Sequence, residues 1–176
     1  DYGFERFLKF VNESNNGYLL ISGGGEPFEK KEYVFKTVES AISDKIVIVS
    51  NGLWAKEYEE AKEIIDKLYM SLSNRIEKTD VTLRISIDAF HAKQFGIEPY
   101  ENIIKIFEND YLKKSNFNLK INTVTDVKEM PGNFQFFLIM KKSCIKKIPT
   151  QTINGYIINC IHIPPLQITI LYYISF

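Results

Sequence analysis

The chain has 176 residues, 45% of them hydrophobic and 14% aromatic, enough to bury one sizeable core in a single domain. Its 22 basic and 22 acidic side chains cancel, so no long-range field draws it to nucleic acid or an anionic membrane, and small-molecule chemistry is the better expectation. No basic apolar leader and no run of about 18 uncharged apolar residues is present, so a cytoplasmic protein with no membrane partner is expected.

The chain starts at Asp1 and enters a helical pattern at once, with Phe4, Phe7, Leu8 and Val11 on one stripe; a chain whose beginning has been removed is expected. Tyr18 to Ser22 reads as a strand. Glu29 to about Ser43 reads as a helix with Val34, Val38 and Ile42 on one face. A second strand covers Ile46 to Ser50. Trp54, Tyr58, Ala61, Ile64, Ile65, Leu68, Tyr69 and Leu72 then keep the spacing of a single helical face. A third strand, Val81 to Ile87, is followed by the helical stripe Tyr100, Ile103, Ile104, Phe107, Tyr111 and Leu112, and a fourth strand runs from Phe117 to Val124.

Strands separated by crossover helices run parallel, so an α/β architecture is expected, either a wound sheet or a complete or partial barrel. The next strand-like run, Phe134 to Met140, follows Val124 by only about ten residues, short of the dozen or so that a parallel crossover needs. The last 29 residues carry no Asp, Glu, Lys or Arg. Residues 1–140 are therefore assigned to the main domain and 141–176 to an Ile- and Tyr-rich tail, either extra strands or an end never selected to fold with the rest.

Polar residues collect at the ends of the strands. The first runs into Ser22-Gly23-Gly24-Gly25-Glu26-Pro27, the second into Ser50-Asn51-Gly52, the third into Ser86-Ile87-Asp88 with His91, and the fourth into Asn122-Thr123. In parallel βα proteins the ligand site lies at that edge. Three glycines bring backbone groups close to a ligand, and Glu26 adds a carboxylate, a combination suited to an ammonium group. A phosphate cradle would instead show Lys with Ser or Thr closing the loop; a tight glycine turn without a ligand is the plainer alternative. On the third strand Thr82, Arg84, Ser86 and Asp88 alternate with apolar residues, giving one polar face. Inside a βα protein that suggests a lined cavity, and otherwise an edge strand with a solvated face.

Gly23-Gly24-Gly25-Glu26-Pro27, then Ser50-Asn51-Gly52, then Ser86-Ile87-Asp88-Ala89-Phe90-His91, in this order and spacing, resemble the radical S-adenosylmethionine superfamily over roughly residues 1–126. The resemblance implies a partial (β/α) barrel of the TIM type, truncated at its N-terminus. By it, Gly24, Gly25 and Glu26 hold the amino group of the methionine moiety, and Asn51, Ser86, Asp88 and Asn122 line the cofactor side of the rim. Arg84 and His91 are candidates for the substrate side. It also implies a [4Fe-4S] cluster on a Cys-x-x-x-Cys-x-x-Cys loop, an external reductant, and reductive cleavage of S-adenosylmethionine to a 5′-deoxyadenosyl radical that acts on an unknown small molecule or peptide.

No such loop is present. Cys144 and Cys160 have fifteen residues between them, a spacing of neither a disulfide framework nor a paired metal-ligand motif, so the chain as it stands is expected to be inactive in that reaction. Two other classes stay open: a cluster-free nucleoside-binding or scaffold module, and an ordinary βα hydrolase or isomerase using Glu26, Asp88 and His91.

Overall fold

A computed structural model of the chain describes residues 2–14, 17–22, 25–87, 89–122, 151–153, 156–158 and 172–173. Five helices, α1 (Tyr2–Glu13), α2 (Lys31–Ser40), α3 (Tyr58–Ser73), α4 (Ala89–Phe95) and α5 (Glu98–Ile106), alternate with four strands, β1 (Tyr18–Ser22), β2 (Lys45–Ser50), β3 (Asp80–Ser86) and β4 (Phe117–Asn122). Three short strands follow, β5 (Gln151–Ile153), β6 (Tyr156–Ile158) and β7 (Tyr172–Tyr173). The runs expected from 134–140, and most of the uncharged tail, lie outside the described residues.

β1 to β4 pair in chain order, each parallel to the next. β7 adds a parallel pairing to the free side of β1, with Ile21 opposite Tyr172, while β5 and β6 form a separate antiparallel pair. The register puts Leu19 beside Ile46, Ile46 beside Val81 and Val81 beside Phe117, and two residues on Ile21, Ile48, Leu83 and Leu119 fall in line. These residues belong to one core with Val34, Phe35 and Val38 of α2, Ile64, Ile65, Leu68 and Leu72 of α3, and Tyr100, Ile103 and Ile106 of α5. The three helices therefore cover the same face of the sheet, as successive crossovers of one hand require when strands are laid down in order.

Local sequence sets where the helices begin and end. Pro27–Lys30 forms a 3-10 turn ahead of α2, with Pro at its start, where a missing N–H costs nothing. α2 stops at Ser40 because Ala41 is extended, at φ −74° and ψ 129°. Ile42 consequently leaves the stripe predicted for it: it is 45% exposed, and its N–H is bound by the Asn12 side chain of α1. Arg75, just after α3, donates to the carbonyls of Val38 at 2.5 Å and Ala41 at 2.6 Å, satisfying backbone acceptors at the end of α2.

The predicted helix at 54–72 divides into a 3-10 turn, Leu53–Ala55, and α3, which starts after extended Glu57. α5 passes into a π-helical turn, Phe107–Tyr111. That wider turn delays the helical face, so Tyr111 is buried whereas Leu112, expected beside it, is 68% exposed. Tyr111 Oη donates to Asp66 of α3 at 2.5 Å, and Lys62 bridges Asp66 and Asp110. Burial first, and then the bond to Asp66, push the Tyr111 phenol upward, so it stays a donor. α4 was not foreseen, although Ala89, Ala92, Lys93 and Gln94 are ready helix formers. Gly96, at φ +82°, ends it in the left-handed region, and a Cβ there would lie within 2.2 Å of a Glu98 oxygen.

No helix among the described residues is long and apolar enough to cross a membrane. Packing of α3 into this core predicts that truncating Leu68, fully buried on it, costs about 2–5 kcal/mol. Met70, 61% exposed on the same helix, should change stability by no more than about 0.5 kcal/mol when replaced by Ala. Urea denaturation of both variants checks the orientation of α3, and similar losses would show it to be wrong.

Candidate functional site

The parallel arrangement brings the carboxyl ends of β1 to β4 to one edge, with Ser22, Ser50, Ser86 and Asn122 as their last residues. Between β1 and β2 the edge is a tight polar knot. Glu26, extended at φ −81° and ψ 119°, caps the 3-10 turn that follows it: its Oε1 accepts the Phe28 N–H at 3.2 Å. Its Oε2 accepts the N–H of Asn51, twenty-five residues away, at 2.8 Å. The Ser50 hydroxyl also donates to this carboxylate, while its oxygen accepts the Gly52 N–H at 3.0 Å and the Trp54 indole N–H at 2.8 Å. Asn51 folds its side-chain oxygen onto the Leu53 N–H at 2.9 Å, a local turn typical of Asn.

Gly52 is required at its position on two counts. Its φ is +76°, and a Cβ would come within 3.1 Å of Ile85, 3.3 Å of Ile103 and 3.3 Å of Tyr100. The Trp54 ring lies 4.6 Å from that of buried Phe28, so both rings are packed in the wall beneath the knot. Asn102 of α5 ties the same loop down from outside, donating to the carbonyls of Ala55 and Lys56 at 3.0 Å each.

The electrostatics of Glu26 follow from this enclosure. Burial raises its pKa and outweighs the three donors, the Asn51 and Phe28 N–H groups and the Ser50 hydroxyl, which pull it down. A carboxylate has about four lone-pair sites, so three donors leave it little further acceptor capacity. Gly25 is exposed, and a Cβ built on it meets nothing within 4 Å, which leaves open space over the turn.

The other predicted site residues divide between described and undescribed positions. Ser86 and Asn122 are register partners at the ends of β3 and β4, and the Asn122 carbonyl accepts the Ile87 N–H at 2.8 Å. Arg84, two residues before Ser86, shares its face of the sheet, opposite the helices. His91 sits on α4 with its ring 6.0 Å from that of Phe95, nearly parallel to it at 22°. Gly24, Asp88 and Thr123 lie outside the described residues, as do Cys144, Cys160 and His162. Among the described residues no three His, Cys, Asp or Glu side chains gather as a metal ion would need.

Sequence reasoning missed Ser50 as the hub of the knot. Its only outward signal is its place just before Asn-Gly at the end of a strand. No family model matches the sequence, and no curated protein matches it significantly.

Glu26→Gln tests the knot. A glutamine can accept one of the two backbone N–H bonds but must turn an N–H toward the other, so the variant should lose about 1–3 kcal/mol at pH 7 despite shedding a buried charge. Because the folded-state pKa of Glu26 is raised, its contribution to stability is greatest at low pH. It falls as pH rises from about 4.3, the ordinary glutamate value, through the folded pKa. Denaturation curves between pH 4 and 7 should show that downward component in the native chain and not in the variant.

Proposed function

We propose that this chain is the cofactor-binding part of a radical S-adenosylmethionine enzyme, a segment of a (β/α) barrel whose strand ends hold S-adenosylmethionine. The observation that carries the proposal is the 2.8 Å bond from the Asn51 N–H to Glu26, which draws the loops after β1 and β2 into one rim beside the open space over Gly25. Laying four parallel strands down in order, with helices on one face, is also what a barrel segment needs;.

The residues present suit the nucleoside and its amino-acid arm. Backbone carbonyls of the glycine turn, supported by Glu26, would take the ammonium group. Asn51, Ser86 and Asn122 offer amide and hydroxyl groups to the ribose and adenine, with Asp88 added by the sequence resemblance. When bound beside a reduced [4Fe-4S] cluster, the cofactor supplies reductive sulfonium cleavage and hydrogen-atom abstraction; the protein orients and shields it. The cluster itself needs thiolates that Cys144 and Cys160 do not provide at their spacing. The proposed activity therefore requires a Cys-x-x-x-Cys-x-x-Cys loop encoded upstream of Asp1, and a reading frame that starts directly before Asp1 without one would defeat it.

One observation favours a second function, a cluster-free nucleoside-binding or scaffold module. Glu26 is satisfied by donors from the chain itself, so the rim is complete without a ligand. Calorimetry with S-adenosylmethionine separates the two classes. Binding that weakens about tenfold or more, at least 1.4 kcal/mol, in Glu26→Ala is expected for a cofactor rim. Absence of heat at millimolar ligand would leave the scaffold alone.

A further inference from the structure

We propose that Asn51-Gly52 is a self-modification site, at which the Gly52 main-chain nitrogen attacks the Asn51 carboxamide once the knot opens, and that the product keeps the knot from closing again. Asparagine is chemically labile, and a following glycine leaves the attacking nitrogen unshielded by a side chain. The same pair occurs in the sequence at Asn16-Gly17 and Asn154-Gly155. In the reaction a bond forms between the Gly52 nitrogen and Asn51 Cγ, the Cγ–Nδ2 bond breaks, and ammonia leaves with the proton that Gly52 gave up. Water, the only co-reactant, then opens the cyclic imide at either carbonyl, giving aspartate or isoaspartate at that position.

Ring closure needs a free Gly52 nitrogen, a carboxamide turned onto it, and a main chain able to rotate on both sides of Asn51. The closed knot withholds all three. The Gly52 N–H is held by Ser50 Oγ at 3.0 Å in a buried bond, and the Asn51 side-chain oxygen is held by the Leu53 N–H at 2.9 Å. The main-chain N–H of Asn51 is bound to Glu26 at 2.8 Å. Gly52 itself is buried, with the side chains of Ile85, Ile103 and Tyr100 crowding it, so the peptide on its amino side is confined. In the folded chain, reaction is therefore limited to moments when the loop opens locally.

Either product undoes what joins the two loops. Isoaspartate routes the main chain through the former side chain and lengthens it by a methylene, so the N–H groups on either side of that link no longer reach Glu26 and Ser50 together. Both products also set a new carboxylate beside Glu26. Burial already disfavours the Glu26 charge, and a like charge at close range disfavours it further. Opening of the knot is thereby made irreversible, whether or not the rim takes S-adenosylmethionine.

Peptide mapping by mass spectrometry, on the full chain aged in mildly alkaline buffer, reads conversion at Asn51 as the exchange of a carboxamide for a carboxylate. The folded chain should convert there about tenfold or more slowly than the same chain in guanidinium chloride. Below the unfolding transition the rate should rise only weakly with denaturant, because local opening exposes little surface. Ser50→Ala, which frees the Gly52 N–H, should speed conversion of the folded chain several-fold, and Leu68→Ala, which weakens the core away from the knot, by less. Trp54, the single tryptophan and a donor to Ser50, should change its emission in chain modified at Asn51 and separated by its added negative charge. Conversion as fast in the folded as in the denatured chain, a rate that tracks global unfolding, an equal or greater acceleration by Leu68→Ala, or unchanged Trp54 emission after modification would each overturn the proposal. Should Ser50→Ala fail to fold, the denaturant series on the native chain still decides.

Discussion

The structure depends on one constraint: four parallel strands joined in chain order pack one face of the sheet against the helices α2, α3 and α5. Ile46, Ile48, Leu83 and Ile85 of the sheet are fully buried, as are Ile65 and Leu68 of α3. Each such side chain contributes about 1.5–3 kcal/mol when withdrawn from water. A slip of one residue in any strand would turn that whole set away from the helices, so hydrophobic burial fixes the register. The register in turn decides which polar side chains share the opposite face, and this is why Thr82, Arg84 and Ser86 lie beside Asn118, Lys120 and Asn122.

At the carboxyl edge the strands alone do not define a shape, because the loops that leave them could diverge. Glu26 prevents this for the first two. Its carboxylate is shared between the turn it caps and the backbone of Asn51, and Ser50 passes the connection on to Gly52 and Trp54. Desolvation nevertheless dominates its titration. A neutral residue would be cheaper to bury, but no neutral side chain accepts two opposed N–H groups and a hydroxyl at once. The charge is the cost of a three-way acceptor.

Much of the framework was legible in the sequence because it rests on periodicity. Tyr18–Ser22 is found where the apolar run predicted it, and Ala61, Ile65 and Leu68 of α3 are wholly buried. The misses share a physical origin, in that local backbone events interrupt the period. An extended Ala41 releases Ile42, and a π-helical turn displaces Leu112. The polar residues of the carboxyl edge were legible by type, but their hydrogen-bond connections were not. Glu26 was read as a group for a ligand, whereas its described partners are main-chain N–H groups and a hydroxyl of the chain. A main-chain N–H belongs to nearly every residue, so it leaves no mark in a sequence.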